Sequence, residues 1–230
     1  MQIKIFDVET GPLPKSDLEK LRPDFDDAVV KIGNLKDEEK IKAKREEARL
    51  NYFRDFFEKA ALDPLTGRVL AIGVMTFESH GGGRPSFAEP GQFNLIGYED
   101  EAQMIREFWD NVRGEMGRIN PLIGFNIFSF DLPFLIRRSW KHGVPVPSGL
   151  RRGRYWNDQL IDLRDCWQLG DRQARGSLDS IARHLGVGAK TGEGQAFAEL
   201  WQTNRPQAEA YLRNDVELTT LVASKLGFTA

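Results

Sequence analysis

The N-terminal stretch Ile3-Lys4-Ile5-Phe6-Asp7-Val8-Glu9 alternates with a period of two, which sets two acids on one face of one strand. Ile3, Ile5, Asp7 and Glu9 share that face, and Lys4, Phe6 and Val8 take the other. The two carboxylates therefore point the same way, from backbone positions roughly 6–7 Å apart. Gly11-Pro12 is expected to stop the strand, leaving the acids at its C-terminal end. Far along the chain, Tyr211 and Asp215 stand at i and i+4 of a helical segment and also share a face. Asp131, in GFNIFSFDLPFL, completes a set of four acids and one tyrosine.

The residue types point to a chemistry. Two carboxylates about 5 Å apart repel by roughly 3 kcal/mol at an effective dielectric near 20, so a pocket of four needs cations. An all-oxygen donor set without Cys or His suits a hard ion, Mg²⁺ or Mn²⁺. Two such ions about 3.5–4 Å apart can activate a water, grip a phosphodiester and stabilise the leaving oxygen. A tyrosine, with an unperturbed pKa near 10, is a weak base at neutral pH but can orient the attacking water. Asp7, Glu9, Asp131, Tyr211 and Asp215 are thus the candidate catalytic set, with the four acids as metal ligands. Singly, each acid is an ordinary polar residue at a strand end, a helix cap or a solvated helix face. Jointly, they read as a phosphodiesterase site.

In these motifs the sequence resembles the DEDD 3′–5′ exonucleases, in the branch that carries a tyrosine. Asp7-Val8-Glu9-Thr10 looks like the first family motif. Gly124-Phe125-Asn126 with Phe130-Asp131-Leu132-Pro133 looks like the second, in the form found in proofreading domains of family-B DNA polymerases. Tyr211-Leu212-Arg213-Asn214-Asp215 matches the third, and Ala210 stands where the histidine branch would carry His. GSLDSIARHLGVGAK is similar to a helix that precedes the third motif in such relatives. The resemblance covers roughly residues 1–13 and 62–230. It implies a ribonuclease H-like α/β fold, a mixed β-sheet flanked by α-helices; the helical insertion after the first strand, residues 15–61, departs from the family pattern. It also implies that Asp7, Glu9 and Asp215 hold one metal, that Asp7 bridges to a second supported by Asp131, and that Tyr211 positions the water.

Charge is informative locally. The formal net charge of −2 says nothing about a nucleic-acid partner. From Leu132 to Asn157, however, no acidic residue occurs, while Arg137, Arg138, Lys141, Arg151, Arg152 and Arg154 accumulate among Trp140, Tyr155 and Trp156. Basic groups interleaved with flat rings suit a groove for single-stranded nucleic acid; the bland alternative is a solvated basic helix and loop. Arg151, Arg152 and Arg154 are candidate substrate contacts, together with Phe130 and Asn126, the latter being either a loop hydrogen-bonder or a substrate contact. Asp162 and Asp165 are read as structural or as supports behind the site, and stand outside the catalytic set. The single cysteine, Cys166, rules out an internal disulfide and fits a reducing compartment. Neither a secretion signal nor an apolar run of membrane-spanning length is apparent, so a cytoplasmic protein with no membrane partner is expected.

Periodicity gives an α/β order in one domain over 1–230. Strands are expected at 2–8, near 68–77 and near 86–96, the last two joined by a hairpin at His80-Gly81-Gly82-Gly83, with a short buried strand at Pro121–Phe125. Helices are expected at 100–113, 132–142, 177–185, 194–202 and 206–226. Ser177 can cap the third and Gly186 can end it. Residues 15–61 are a charged insertion whose second half, Asp37 to Ala61, reads as a long helix with Ala48, Tyr52, Phe56 and Ala60 on one stripe. That insertion is a surface element, a lid or a docking element. Gly186–Gly194 (GVGAKTGEG) follows a helix rather than a strand and is not read as a nucleotide loop. His80, His142 and His184 lack metal-ligand spacing.

The expected function is a two-metal 3′–5′ exonuclease on single-stranded nucleic acid, DNA favoured over RNA. The alternatives are an RNA-trimming exoribonuclease and a non-catalytic nucleic-acid-binding or docking module.

Overall fold

Beginning at Gln2, the chain forms β1 (Gln2–Pro12), α1 (Lys15–Leu21), α2 (Glu38–Lys59), β2 (Gly67–Glu78), β3 (Gln92–Ile96) and α3 (Glu101–Val112). It continues through β4 (Leu122–Gly124), α4 (Asp131–His142), β5 (Leu160–Asp162), α5 (Leu163–Gln168), α6 (Leu178–Leu185), α7 (Phe197–Thr203) and α8 (Arg205–Lys225). This computed structural model describes residues 2–78, 87, 91–114, 118–150, 159–171, 173–192 and 194–228. Two compact units emerge, Met1–Thr10 with Val69–Ala230, and Gly11–Arg68.

The larger unit is built on a five-stranded sheet in the order β3-β2-β1-β4-β5. β3 is antiparallel to β2, whereas β4 is parallel to β1 and β5 to β4. β1 is central, and its period-two pattern feeds both faces. Ile3 and Ile5 join a core with α6, α7 and α8, built around Leu178, Ile181, Phe197, Leu212 and Val216. Phe6 and Val8 join the opposite core with α3 and α4, around Ile105, Phe108, Trp109, Leu132 and Leu135. A mixed sheet covered by helices on both faces is the ribonuclease H-like architecture that the motifs imply.

Local chemistry sets the helix ends. The Asp100 side chain accepts from the amides of Ala102 and Gln103 to start α3. A Ser177–Ser180 capping box starts α6, and Gly186, at φ 70°, ends it as expected. Between α3, α4 and β2, the buried carboxylate of Glu101 accepts from Val69 N (2.9 Å) and from Arg138 Nε (2.8 Å) and Nη2 (2.6 Å). Arg138 therefore departs from the basic groove expected of this stretch. A buried guanidinium needs a carboxylate, and Glu101 supplies it.

Three other expectations need adjusting. β1 does not stop before Gly11-Pro12; it runs to Pro12, because the backbone goes on pairing and Leu13 N donates to Thr66 O at 2.8 Å. Pro12 is tolerated as the last strand residue, where a missing donor matters least. β5 and α5 had no counterpart in the sequence pattern, being short segments of 3 and 6 residues. β2 and β3 pair antiparallel, and the turn expected at His80–Gly83 lies outside the described residues.

In the Gly11–Arg68 unit, Asp37 caps α2 by accepting from Glu39 N and Lys40 N. No residue of α2 is fully buried. Phe25 packs on Tyr52 and Phe53 with centroids 5.3 and 6.4 Å apart, and Arg49 reaches Asp27 at 3.1 Å. Among the described residues no helix is long and apolar enough to cross a membrane.

Candidate active site

The sheet register creates the site. β4 ends at Gly124, one residue past the Ile5–Ile123 pair, so Asp7 and Glu9 project from β1 beyond the carboxyl end of its parallel neighbour. On α8 the residues Ala208, Tyr211, Leu212, Asp215, Val216 and Thr219 form the buried stripe, which turns Tyr211 and Asp215 toward β1. Oxygen atoms of Asp7, Glu9 and Asp215 consequently lie within 4.8 Å of one another. Asp131 arrives from the first turn of α4. It is the first residue of that helix rather than its cap, and its Oδ1 accepts the Val8 amide at 3.2 Å, tying α4 to β1 between the two strand acids.

The loop that delivers Asp131 is shaped by Asp162. Its Oδ1 accepts from Asn126 N (2.8 Å) and Arg164 N (2.9 Å), and its Oδ2 from Phe128 N (2.9 Å). Asn126 sits at φ 64°, a left-handed conformation that Asn tolerates better than most residues. Its side-chain oxygen accepts from Arg164 Nη1 at 2.8 Å. Asn126 is thus a loop hydrogen-bonder, and it also lines the cleft.

The open cleft holds about 920 Å³, and Asp7, Glu9, Asp131, Tyr211, Asp215, Asn126 and Phe130 all face it. Arg151, Arg152 and Arg154, with Tyr155 and Trp156, lie outside the described residues. The cleft wall brings three cations that the motifs had not singled out: Arg164, Arg175 and Lys190. Lys190 Nζ meets Asp215 Oδ2 at 2.5 Å and lies 5.3 Å from the centre of the Tyr211 ring. The available signal was its isolation, since Lys190 is the only basic residue between Leu185 and Arg205.

Electrostatics reflect the crowding. Burial, then the charge of Asp215, pushes the Asp7 carboxyl up to about 6, while Lys190 pulls it down. Burial, then Asp7, raises Glu9 and Asp131 well above the usual carboxylate range. Burial also raises Asp215, with Lys190 opposing. For Lys190, burial disfavours the charge, but Asp215 outweighs it and the ammonium is strengthened. Burial and the nearby Glu9 raise Tyr211, which stays a neutral phenol. Asp215 Oδ1 and the Tyr211 hydroxyl are buried without a hydrogen-bond partner among the described residues. Clustered oxygen donors and two orphaned polar atoms fit a hard divalent cation with an ordered water.

Among curated proteins, none matches the chain. Among solved structures, the family B DNA polymerase from the hyperthermophilic archaeon Pyrobaculum calidifontis is similar in fold, with a TM-score of 0.59 and 20% sequence identity. The match covers 98% of this chain and 24% of the polymerase, so the chain spans about a quarter of that relative's length. Residues 66–227, well over half of the chain, match a family model described as predicted 3′–5′ exonucleases related to the exonuclease domain of PolB. The acid-lined cleft beyond the carboxyl end of β4 lies in a chain that belongs to this exonuclease family.

Proposed function

We propose that the protein is a two-metal 3′–5′ exonuclease that removes nucleoside monophosphates from single-stranded nucleic acid, with DNA the favoured substrate. The observation that carries this reading is the convergence of Asp7, Glu9 and Asp215 within 4.8 Å beside a neutral, unpartnered Tyr211 hydroxyl in an open cleft. Asp7, Glu9 and Asp215 would hold one divalent cation, with Asp7 and Asp131 serving a second. Mg²⁺ or Mn²⁺ there would supply a nucleophilic water and stabilise charge on the phosphate and leaving oxygens.

The chain's own residues do the rest. Tyr211 holds the attacking water through its phenol oxygen. The water oxygen bonds to phosphorus as its proton passes to solvent, the bond from phosphorus to the 3′ oxygen breaks, and that oxygen takes a proton from solvent to become the new 3′ hydroxyl of the shortened strand. Lys190 holds Asp215 by Oδ2 and leaves Oδ1 unpartnered. Arg164 and Arg175 offer phosphate contacts on the cleft wall, where Phe130 offers a ring for base stacking. Arg151, Arg152 and Arg154 stay candidate phosphate contacts on the strength of the sequence alone. The preference for DNA draws on the similarity to a DNA polymerase. Residues 1–230 are read as one exonuclease domain carrying the 15–61 insertion, and the cytoplasm is its proposed compartment.

The test is a gel assay on 5′-labelled single-stranded DNA and RNA oligonucleotides with Mg²⁺, Mn²⁺ or EDTA. A metal-dependent ladder shortening from the 3′ end, stronger on DNA, is expected. Faster shortening of RNA would replace the substrate assignment. Tight binding without cleavage of either would establish the docking-module alternative.

A further inference from the structure

We propose that Asp179 and Asn214 are positioning residues: they pin the loop at Lys190–Gly192 by two consecutive amides, so that the Lys190 ammonium fixes the Asp215 carboxylate. The proposal rests on the exonuclease reading above and assigns the anchoring of that site.

Lys190 follows the end of α6 by a few residues and has no regular secondary structure of its own. Its amide donates to Asp179 Oδ1 at 2.8 Å, and the next amide, of Thr191, donates to Asn214 Oδ1 at 3.2 Å. The anchors come from different helices: Asp179 from the first turn of α6, and Asn214 from α8, directly before Asp215. Asp179 is itself held at its second oxygen by Arg183 Nε at 2.8 Å. On the other side the loop lies against Tyr211. A Cβ placed on Gly192 would stand 3.1 Å from Tyr211 Cδ2, so the absence of a side chain permits the close approach.

The consequence runs to the acidic centre. A lysine has a long, flexible stem and loses much rotamer freedom when its ammonium is localised. Fixing its own amide and the next removes the backbone share of that motion. The ammonium then stays on Asp215 Oδ2, and the buried Oδ1 remains the unpaired oxygen. Losing either anchor lets Lys190 withdraw, with two opposite effects. The acids become more negative and attract a cation more strongly. Asp215 is no longer held in one orientation, and turnover falls.

The experiment compares Asp179→Ala, Asp179→Asn, Asn214→Ala and Arg183→Ala in the full chain, with and without Lys190→Ala. Three readouts are thermal melting, Mn²⁺ affinity by calorimetry without substrate, and kcat and KM on the 5′-labelled DNA oligonucleotide. Asp179→Ala and Asn214→Ala should each lower kcat by roughly 3–10-fold, the loss expected of one hydrogen bond, with KM little changed. Both should bind Mn²⁺ more tightly, by roughly 2–10-fold. Asp179→Asn keeps an acceptor and should recover most of the loss, while Arg183→Ala, which removes only the outer ion pair, should match the unmodified chain. In the Lys190→Ala background neither anchor variant should have a further effect.

Unchanged or weaker Mn²⁺ binding in both folded anchor variants would overturn the proposal, as would effects that persist undiminished without Lys190. If the unmodified chain cleaves neither oligonucleotide, the exonuclease reading fails. The Mn²⁺ arm and its dependence on Lys190 then still decide whether the loop anchors Asp215.

Discussion

Asp7 stands where burial and a neighbouring carboxylate act together, and its behaviour in the metal-free protein follows from that. Its carboxyl is raised from 3.8 to about 6, so between those values the folded protein binds more protons than the unfolded chain. Metal-free stability should therefore fall as pH rises through this window, and the raised Glu9, Asp131 and Asp215 act in the same direction. Asp7→Asn removes one of the opposed charges. It should stabilise the metal-free protein by about 1–2 kcal/mol at pH 7, with the gain vanishing below about pH 4, while abolishing cleavage. Thermal melts with EDTA at several pH values check the first part; a gain that persists at low pH would show that charge is not its cause. Tyr211→Phe deletes the unpartnered hydroxyl and little else. Turnover should drop by roughly 10–100-fold with Mn²⁺ affinity preserved, as measured by single-turnover cleavage and calorimetry on the same sample.

At the scale of elements, the site depends on a short loop between β4 and α4 that Asp162 organises from the end of β5. Asp162→Ala strips the acceptor from three backbone amides, those of Asn126, Phe128 and Arg164. A loss of about 2–4 kcal/mol is expected, visible as a lower melting temperature. Asp162→Asn keeps one oxygen, the acceptor for Asn126 and Arg164, and should lose less than half of that. Equal melting of both variants and the parent would show that the loop holds its shape without this clamp. From the sequence Asp162 was legible as a structural or supporting acid but not as the clamp of this loop, since two of its three amide partners lie 34 and 36 residues away. β5 itself left no periodic trace, because three residues are too few to show one. The longer helices α3, α6 and α8 did, through their apolar spacing and their caps.

For the whole molecule, both buried clusters are drawn entirely from Met1–Thr10 and Val69–Ala230, and none of their members lies in Gly11–Arg68. Replacing residues 16–62 with a short turn should accordingly leave a cooperatively unfolding remainder; a broad, non-cooperative melt by circular dichroism would show that the insertion is needed for the core. By itself, the sequence determined the alternation that makes β1 a central strand, the pairing of Asp7 with Glu9 and of Tyr211 with Asp215, and the all-oxygen character of the clustered side chains. Those properties are local, set by periods of 2 and 3.6 residues and by the identity of the side chains. Tertiary structure alone decided that Lys190 would enter the acidic centre from an aperiodic loop, that Arg138 would be buried against Glu101, and that Asp162 would hold the loop before Asp131. Each of these contacts joins residues far apart in the chain, and packing rather than any local preference brings the partners within hydrogen-bonding distance.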